Sequence, residues 1–197
     1  MEYTRGYSFA RKMEDGKPVL DDEGNEVLQY PDAQIPEYQT IKAAGADFFA
    51  AEDVTIPSFW RGIRFWEGLL DRVMSLGEQP TDEEKKMFQP TYVHTGVKAY
   101  MQEDEALYIY NRSSNPKKMG LVLANSVGLI DADYVDNPEN DGEIMGSFYN
   151  FFPWDVKIKK GDRIMQGVFA KYLRPLEGQG LRVKGKERSG GWGSTGK

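Results

Sequence analysis

The chain has no cysteine, a single histidine and fewer positive than negative charges, and each shortage removes a class of chemistry. Without cysteine there are no disulfides, thiolate nucleophiles or cysteine-ligated zinc sites. His94 stands ahead of Thr95, Gly96 and Val97 in a strand-like stretch and reads as structural. That removes His-based triads and histidine metal sites together. Lys and Arg number 25 against 31 Asp and Glu, a formal charge of −6. Gripping a nucleic-acid backbone needs a basic face, so no nucleic-acid partner is expected. A nucleotide needs only a local cluster of donors and a divalent ion, so that ligand class stays open. No apolar run approaches the ~20 residues that span a bilayer, and no signal-peptide pattern opens the chain. The expectation is a cytoplasmic protein with no membrane contact.

What the sequence does hold is enough apolar material for one core: 40% hydrophobic and 13% aromatic residues in a chain of 197. A single domain over 1–197 is expected. Residues 1–42 read as irregular, with a first strand near Arg5–Phe9. A hairpin excursion over 10–36 is marked by the turn signals Asp15-Gly16 and Glu23-Gly24-Asn25. In 43–57, Gly45 reads as a bend and Val54, Thr55 and Ile56 as β-formers.

Residues 58–89 break that pattern. Ile63, Trp66, Leu69, Leu70, Val73 and Leu76 recur at spacings of three and four, which predicts an amphipathic helix. Ser58 is a candidate cap for it and Gly77 a candidate stop. Thr81 and Glu84 form a capping box that opens a second, shorter helix. Phe59, Trp60, Phe65 and Trp66 are expected to cover the edge of the body or to form a partner surface. From Thr95 onward, short strands and turns alternate, the pattern of an all-β sandwich or jelly roll, with 97–100 and 107–110 expected to pair around 102–105. The last segment, 178–197, is Gly-rich and basic, too poor in apolar residues to fold by itself.

The chemistry concentrates between Asn111 and Tyr134. Arg112, Ser113 and Ser114 offer a guanidinium beside two hydroxyls; Asn125 offers an amide, Asp131 a carboxylate and Tyr134 a ring. These are the groups a nucleotide site needs.

These residues resemble the motifs of the trimeric dUTPase family. Arg112-Ser113-Ser114 looks like its second motif, and Gly128 to Tyr134, GLIDADY, like its third. The run from Ala44 to Ala51 is similar to the first, Gly161 to Gln166 to the fourth, and Arg188 to Gly196 to the fifth. All five occur in the family's order. The resemblance implies a jelly-roll-like β-sandwich with a helical insertion at 58–89 and a Gly-rich C-terminal arm at 178–197. It implies hydrolysis of dUTP to dUMP and pyrophosphate, assisted by Mg2+, in a homotrimer whose sites are shared between subunits.

It also implies roles for individual residues. Asp131 would activate the attacking water, while Arg112, Ser113, Ser114 and Gln166 would contact phosphates. Asn125, Gly128 and Ile130 belong to the turn that would receive uracil, and Tyr134 would pack under the deoxyribose. Arg188, Trp192, Gly193 and Ser194 would close over the nucleotide, and Asp47 would meet magnesium through water. Three departures are visible: Ala46 stands where the family has Tyr, Trp192 where it has Phe, and the arm is one residue shorter between Arg188 and that aromatic. The rival of the same fold is a dCTP deaminase, which places a catalytic Glu where this chain has Ser147. A further rival is a dUTPase that also binds a regulatory protein through 58–89.

Overall fold

The computed structural model describes residues 5–61, 63–86 and 88–174. In chain order the first strands are β1 (Gly6–Phe9), β2 (Met13–Glu14), β3 (Lys17–Pro18), β4 (Ala46–Phe49) and β5 (Val54–Ile56). Two helices follow, α1 (Ile63–Leu76) and α2 (Asp82–Lys86), then β6 (Thr91–His94), β7 (Val97–Tyr100) and β8 (Glu105–Asn111). Helix α3 (Asn115–Met119) leads into β9 (Leu121–Leu123) and β10 (Val127–Ile130). A 3-10 turn over Ala132–Tyr134 precedes β11 (Met145–Asn150), β12 (Val156–Ile158) and β13 (Arg163–Lys171).

Strands of this composition bury one face, and the burial alternates accordingly: Gly128 and Ile130 of β10, Leu121 and Leu123 of β9, and Val156 and Ile158 of β12 point inward. A four-stranded antiparallel sheet, ordered β10-β8-β13-β4, supplies Phe48, Leu107, Ile109, Ile130, Ile164 and Met165 to the core. A three-stranded sheet, β6-β11-β9, supplies Val93, Leu121, Leu123 and Phe148. The pairs β1-β7 and β12-β5 flank them, so the molecule is an all-β sandwich with one shared core. Truncating a fully buried leucine such as Leu107 to alanine costs about 2–5 kcal/mol in such packing.

Two local expectations are corrected. Strands β7 and β8 do not pair: β7 lies against β1, and β8 lies between β10 and β13. The Glu105 carboxylate accepts from the Gln102 amide and from Arg5, and this turn carries the chain from one sheet to the other. Val97 and Ala99 of β7 and Leu107 and Ile109 of β8 nevertheless all lie in the one shared core. Ser58 does not cap α1, which begins five residues later; its hydroxyl donates to the Phe152 carbonyl at 2.6 Å and fastens the chain to the body. Helix α3 forms after the Arg112–Ser114 segment because Pro116 suits a first turn and Gly120, at φ 63°, provides the left-handed stop.

Other readings hold. Asp15 and Gly16, at φ 48° and 75°, turn the β2-β3 hairpin. Gly77 follows the last residue of α1 at φ 67°. Thr81 and Glu84 cap each other at 2.7 and 3.2 Å. The Phe59 ring packs on Trp60, Tyr149 and Phe151 at the edge of the body, while the side chains of Phe65 and Trp66, read with them, lie outside the described residues.

Candidate active site

Strand register builds the first half of the site. Gln166 on β13 sits opposite Asp47 on β4 and opposite Tyr110 on β8. The chain leaves β8 at Asn111, and the next residues are Arg112, Ser113 and Ser114. Asn115 fixes this turn: fully buried, its amide donates to the Asn111 side chain and to the Ile164 carbonyl, each at 2.7 Å. Sequence motifs one, two and four therefore meet at one end of the four-stranded sheet.

Asp47 is the hub of that end, at 1% exposure. Its Oδ1 accepts from Gln166 Nε2 at 2.8 Å and its Oδ2 from Arg163 Nη1 at 3.2 Å. Arg112 Nε lies 3.6 Å from Oδ1, an ion pair too long to be a hydrogen bond, and that buried N–H has no hydrogen-bond partner. Arg112 Nη1 donates to the Arg163 carbonyl at 3.0 Å. Two guanidiniums and an amide thus converge on one carboxylate, a net positive cluster that suits anionic oxygens. Arg163 was not singled out from the sequence; its place at the start of β13, three residues before Gln166 on an antiparallel neighbour of β4, was the available signal.

Asp131, Tyr134 and the turn before them form the second half. Asn125 is exposed in a turn closed by Ser126 at φ 59°, and β10 then pairs with β8. Gly128 lies so close to Ile109 that an added Cβ would stand 3.1 Å from that side chain. Ile130 is buried opposite Leu107, and Asp131 follows it in extended conformation at the head of the 3-10 turn. Tyr134 is 3% exposed, its hydroxyl donating to the Glu143 carbonyl at 3.1 Å and accepting from Asn140 at 2.8 Å. Asp131 lines an open cleft of about 640 Å³ with Met101, Glu103, Asp133, Tyr172 and Arg174. Tyr172 and Arg174 are brought there by the end of β13, which no sequence motif had marked.

Asp131 and the Asp47 cluster do not meet within one chain, whereas the turn at Asn125 lies at the cluster's end, Val127 being level with Tyr110. Ile130 is level with Leu107, and Gln166 is level with Tyr110. Asp131 lies one step beyond Ile130, so four residues, roughly 13 Å at ~3.3 Å per residue, separate it along β8 from the Asp47 cluster. The cluster and the carboxylate stand at opposite ends of the same sheet. Arg188, Trp192, Gly193 and Ser194 lie outside the described residues.

The dUTPase family model matches residues 79–196. The chain belongs to the dUTPase family. A deoxyuridine 5′-triphosphate nucleotidohydrolase from Lactococcus lactis is 53% identical over 104 residues, covering 53% of this chain and 68% of the relative. Among solved structures, a dUTPase from Streptococcus mutans is 34% identical with a TM-score of 0.57, covering 86% of this chain and 98% of the other. A mutant dUTPase from phage phi11 of S. aureus, described with a structural Mg(II) ion, is 18% identical with a TM-score of 0.54 and shares the fold; the match covers 79% of this chain and 95% of that one. The family's jelly-roll sandwich is the architecture seen here, and this chain carries the helices α1 and α2 on it.

Among the described residues no group of three or more His, Asp and Glu side chains could cage a metal. Asp47 gives its oxygens to Gln166 and Arg163, and since a carboxylate offers about four acceptor sites it keeps acceptor capacity for a metal-bound water. This donor set suits an ion that arrives on phosphates and keeps several waters, as Mg2+ does, rather than one held by the protein alone.

Proposed function

We propose that this dUTPase hydrolyses dUTP to dUMP and pyrophosphate, by attack of water on the α-phosphorus. The observation that carries this reading is the Asp47 hub, which aims Arg112, Arg163 and Gln166 from one sheet end, in a chain of the dUTPase family. As water attacks, its proton passes to the Asp131 carboxylate. The bond from the α-phosphorus to the bridging oxygen breaks, and pyrophosphate leaves with that oxygen. An aspartate is a weak base, so orientation of the water carries much of the rate. Arg112, Gln166 and the hydroxyls of Ser113 and Ser114 offset charge on the phosphates. Asp47 would meet Mg2+ through water, and the ion would supply further positive charge against the phosphates when bound. Asn125, Gly128 and Ile130 frame the uracil turn, and Tyr134 lies beneath the deoxyribose. Arg188, Trp192, Gly193 and Ser194 close over the nucleotide from the C-terminal arm.

Because the Asp47 cluster and Asp131 stand at opposite ends of one sheet, the site is completed between copies of the chain, in a homotrimer. A dCTP deaminase is disfavoured by Ser147, which is buried in β11 and carries no carboxylate.

The test is pyrophosphate release from dUTP, dCTP, dTTP and UTP, by wild type and by Asp131→Asn. Wild type should act on dUTP far above the other three. The variant should keep nucleotide affinity while turnover falls by orders of magnitude. Near-normal turnover in Asp131→Asn would remove that residue from the mechanism, and ammonia from dCTP would move the chain to the deaminases.

A further inference from the structure

The excursion over 10–36 belongs to neither half of the site, yet it is fastened to the loop that follows Tyr134. The fastening is a buried ionic node. Asp141 is fully buried, and its Oδ2 accepts from the Arg11 backbone amide at 2.7 Å and from Lys98 Nζ at 2.8 Å. The Arg11 guanidinium spans both oxygens, with Nε 3.0 Å from each. Asp136, at the other end of the loop, accepts from Lys98 at 2.6 Å and from Arg11 at 3.0 Å. Lys98 itself is buried in β7. Two cations and two carboxylates at such distances form a mutually satisfied network, and removing one member leaves a buried charge short of partners.

Two more contacts repeat the connection. The hairpin tip at Gly16 faces Pro138, and the Tyr30 ring lies 5.3 Å from His94, which holds the Glu143 carboxylate at 2.9 Å. The loop so held is the one that grips Tyr134. Asn140 donates to the Tyr134 hydroxyl, the Glu143 carbonyl accepts from it, and a Cβ on Gly142 would stand 2.6 Å from the Tyr134 carbonyl oxygen. Asp136, Asp141 and Gly142 all adopt positive φ, between 56° and 78°. Such a backbone does not persist unless its surroundings over-determine it.

We propose that the 10–36 excursion is a brace that positions the Asp131–Tyr134 turn, with Arg11 and Lys98 acting through Asp141 on the loop that grips Tyr134. These are positioning residues that touch no substrate. The inference rests on the reading that Tyr134 lies beneath the sugar, where it separates deoxyribose from ribose.

The test compares kcat/KM for dUTP with that for UTP, in wild type, Arg11→Gln, Arg11→Lys and Tyr134→Ala. Arg11→Gln should lower the preference for dUTP by about tenfold, because the loop relaxes and the ring shifts. Its Kd for pyrophosphate should stay within about twofold, since the Asp47 cluster lies at the far end of the sheet. Arg11→Lys keeps a charge beside Asp141 without the fork and should fall between. It decides by the same ratio if Arg11→Gln does not fold. A purely structural role would lower the melting temperature or the active fraction and leave the ratio unmoved. An unchanged ratio in both Arg11 variants, with the preference lost in Tyr134→Ala, would overturn the brace alone. An unchanged ratio in Tyr134→Ala as well would overturn the sugar reading, and the brace with it.

Discussion

At the residue scale, the informative side chains are those with more partners than a surface position would give them. Asp47, read from the sequence as a magnesium contact, sits under two guanidiniums and an amide, so its first duty in the free protein is to aim Arg112, Arg163 and Gln166. His94 was read as structural, and its partner explains why: the Glu143 carboxylate holds it, and that hydrogen bond raises the imidazole pKa above its ordinary 6.5 against the opposing effect of burial. Glu52 adds to the rise, and Tyr30 packs on the ring. A raised pKa means that the pair stabilises the fold fully below the unfolded value and loses that contribution as pH rises through the folded one. The melting temperature of wild type should therefore exceed that of His94→Gln most clearly near pH 6, and the gap should shrink as pH rises past the raised folded value. A gap independent of pH across that range would mean that the ring contributes by packing and not by charge. Because Glu143 also presents its carbonyl to Tyr134, this residue joins the histidine to the site at no more than one remove.

At the element scale, legibility followed locality. The Thr81–Glu84 box, the Gly77 stop and the Asp15-Gly16 hairpin turn each depend on residues within a few positions of one another, and all formed as read. The β7-β8 pairing was misjudged because adjacency in sequence favours a hairpin, while the choice of sheet is made by contacts such as Arg5 with Glu105, 100 residues apart. The Arg11–Asp141 node spans 130 residues and left no local signal at all. Helix α1 was legible by its period, but Leu70, Met74 and Leu76 remain largely exposed on it, which periodicity alone does not reveal. Gly120 shows how one position can tie local conformation to the site. It ends α3 in the left-handed region, and a Cβ there would stand 2.6 Å from the Phe152 ring. Gly120→Ala should cost more than the ~1 kcal/mol of an unstrained change, since backbone and ring both object. Loss of several degrees in melting temperature is expected, together with weaker pyrophosphate binding as the Arg112–Ser114 turn loosens. A variant that melts and binds like wild type would show that Phe152 yields freely.

For the molecule as a whole, the five motifs were legible as a set, yet the sequence order that identifies them says nothing about which ones meet. The fold supplies that answer through register. Motifs one, two and four share one end of the β10-β8-β13-β4 sheet, and the third motif runs along β10 from near that end and carries Asp131 to the other. No side-chain motion closes a separation of roughly 13 Å along a hydrogen-bonded strand. A second copy, turned about a symmetry axis, can present its Asp131 to the first copy's Arg112 and Gln166. In a closed ring of three, each interface is equivalent and every site is built the same way. Complementation tests this without any structure of the assembly. Asp131→Asn and Arg112→Gln chains should each be nearly inactive alone. Co-expressed in equal amounts, random assembly puts both variants in about three quarters of the rings, and each mixed ring holds one site that takes Asp131 from one variant and Arg112 from the other, so about a quarter of wild-type activity should return. If instead each chain completes its own site, every site in the mixture carries one lesion and activity stays at the level of the separate variants. That outcome would end the shared-site reading while leaving the family assignment untouched.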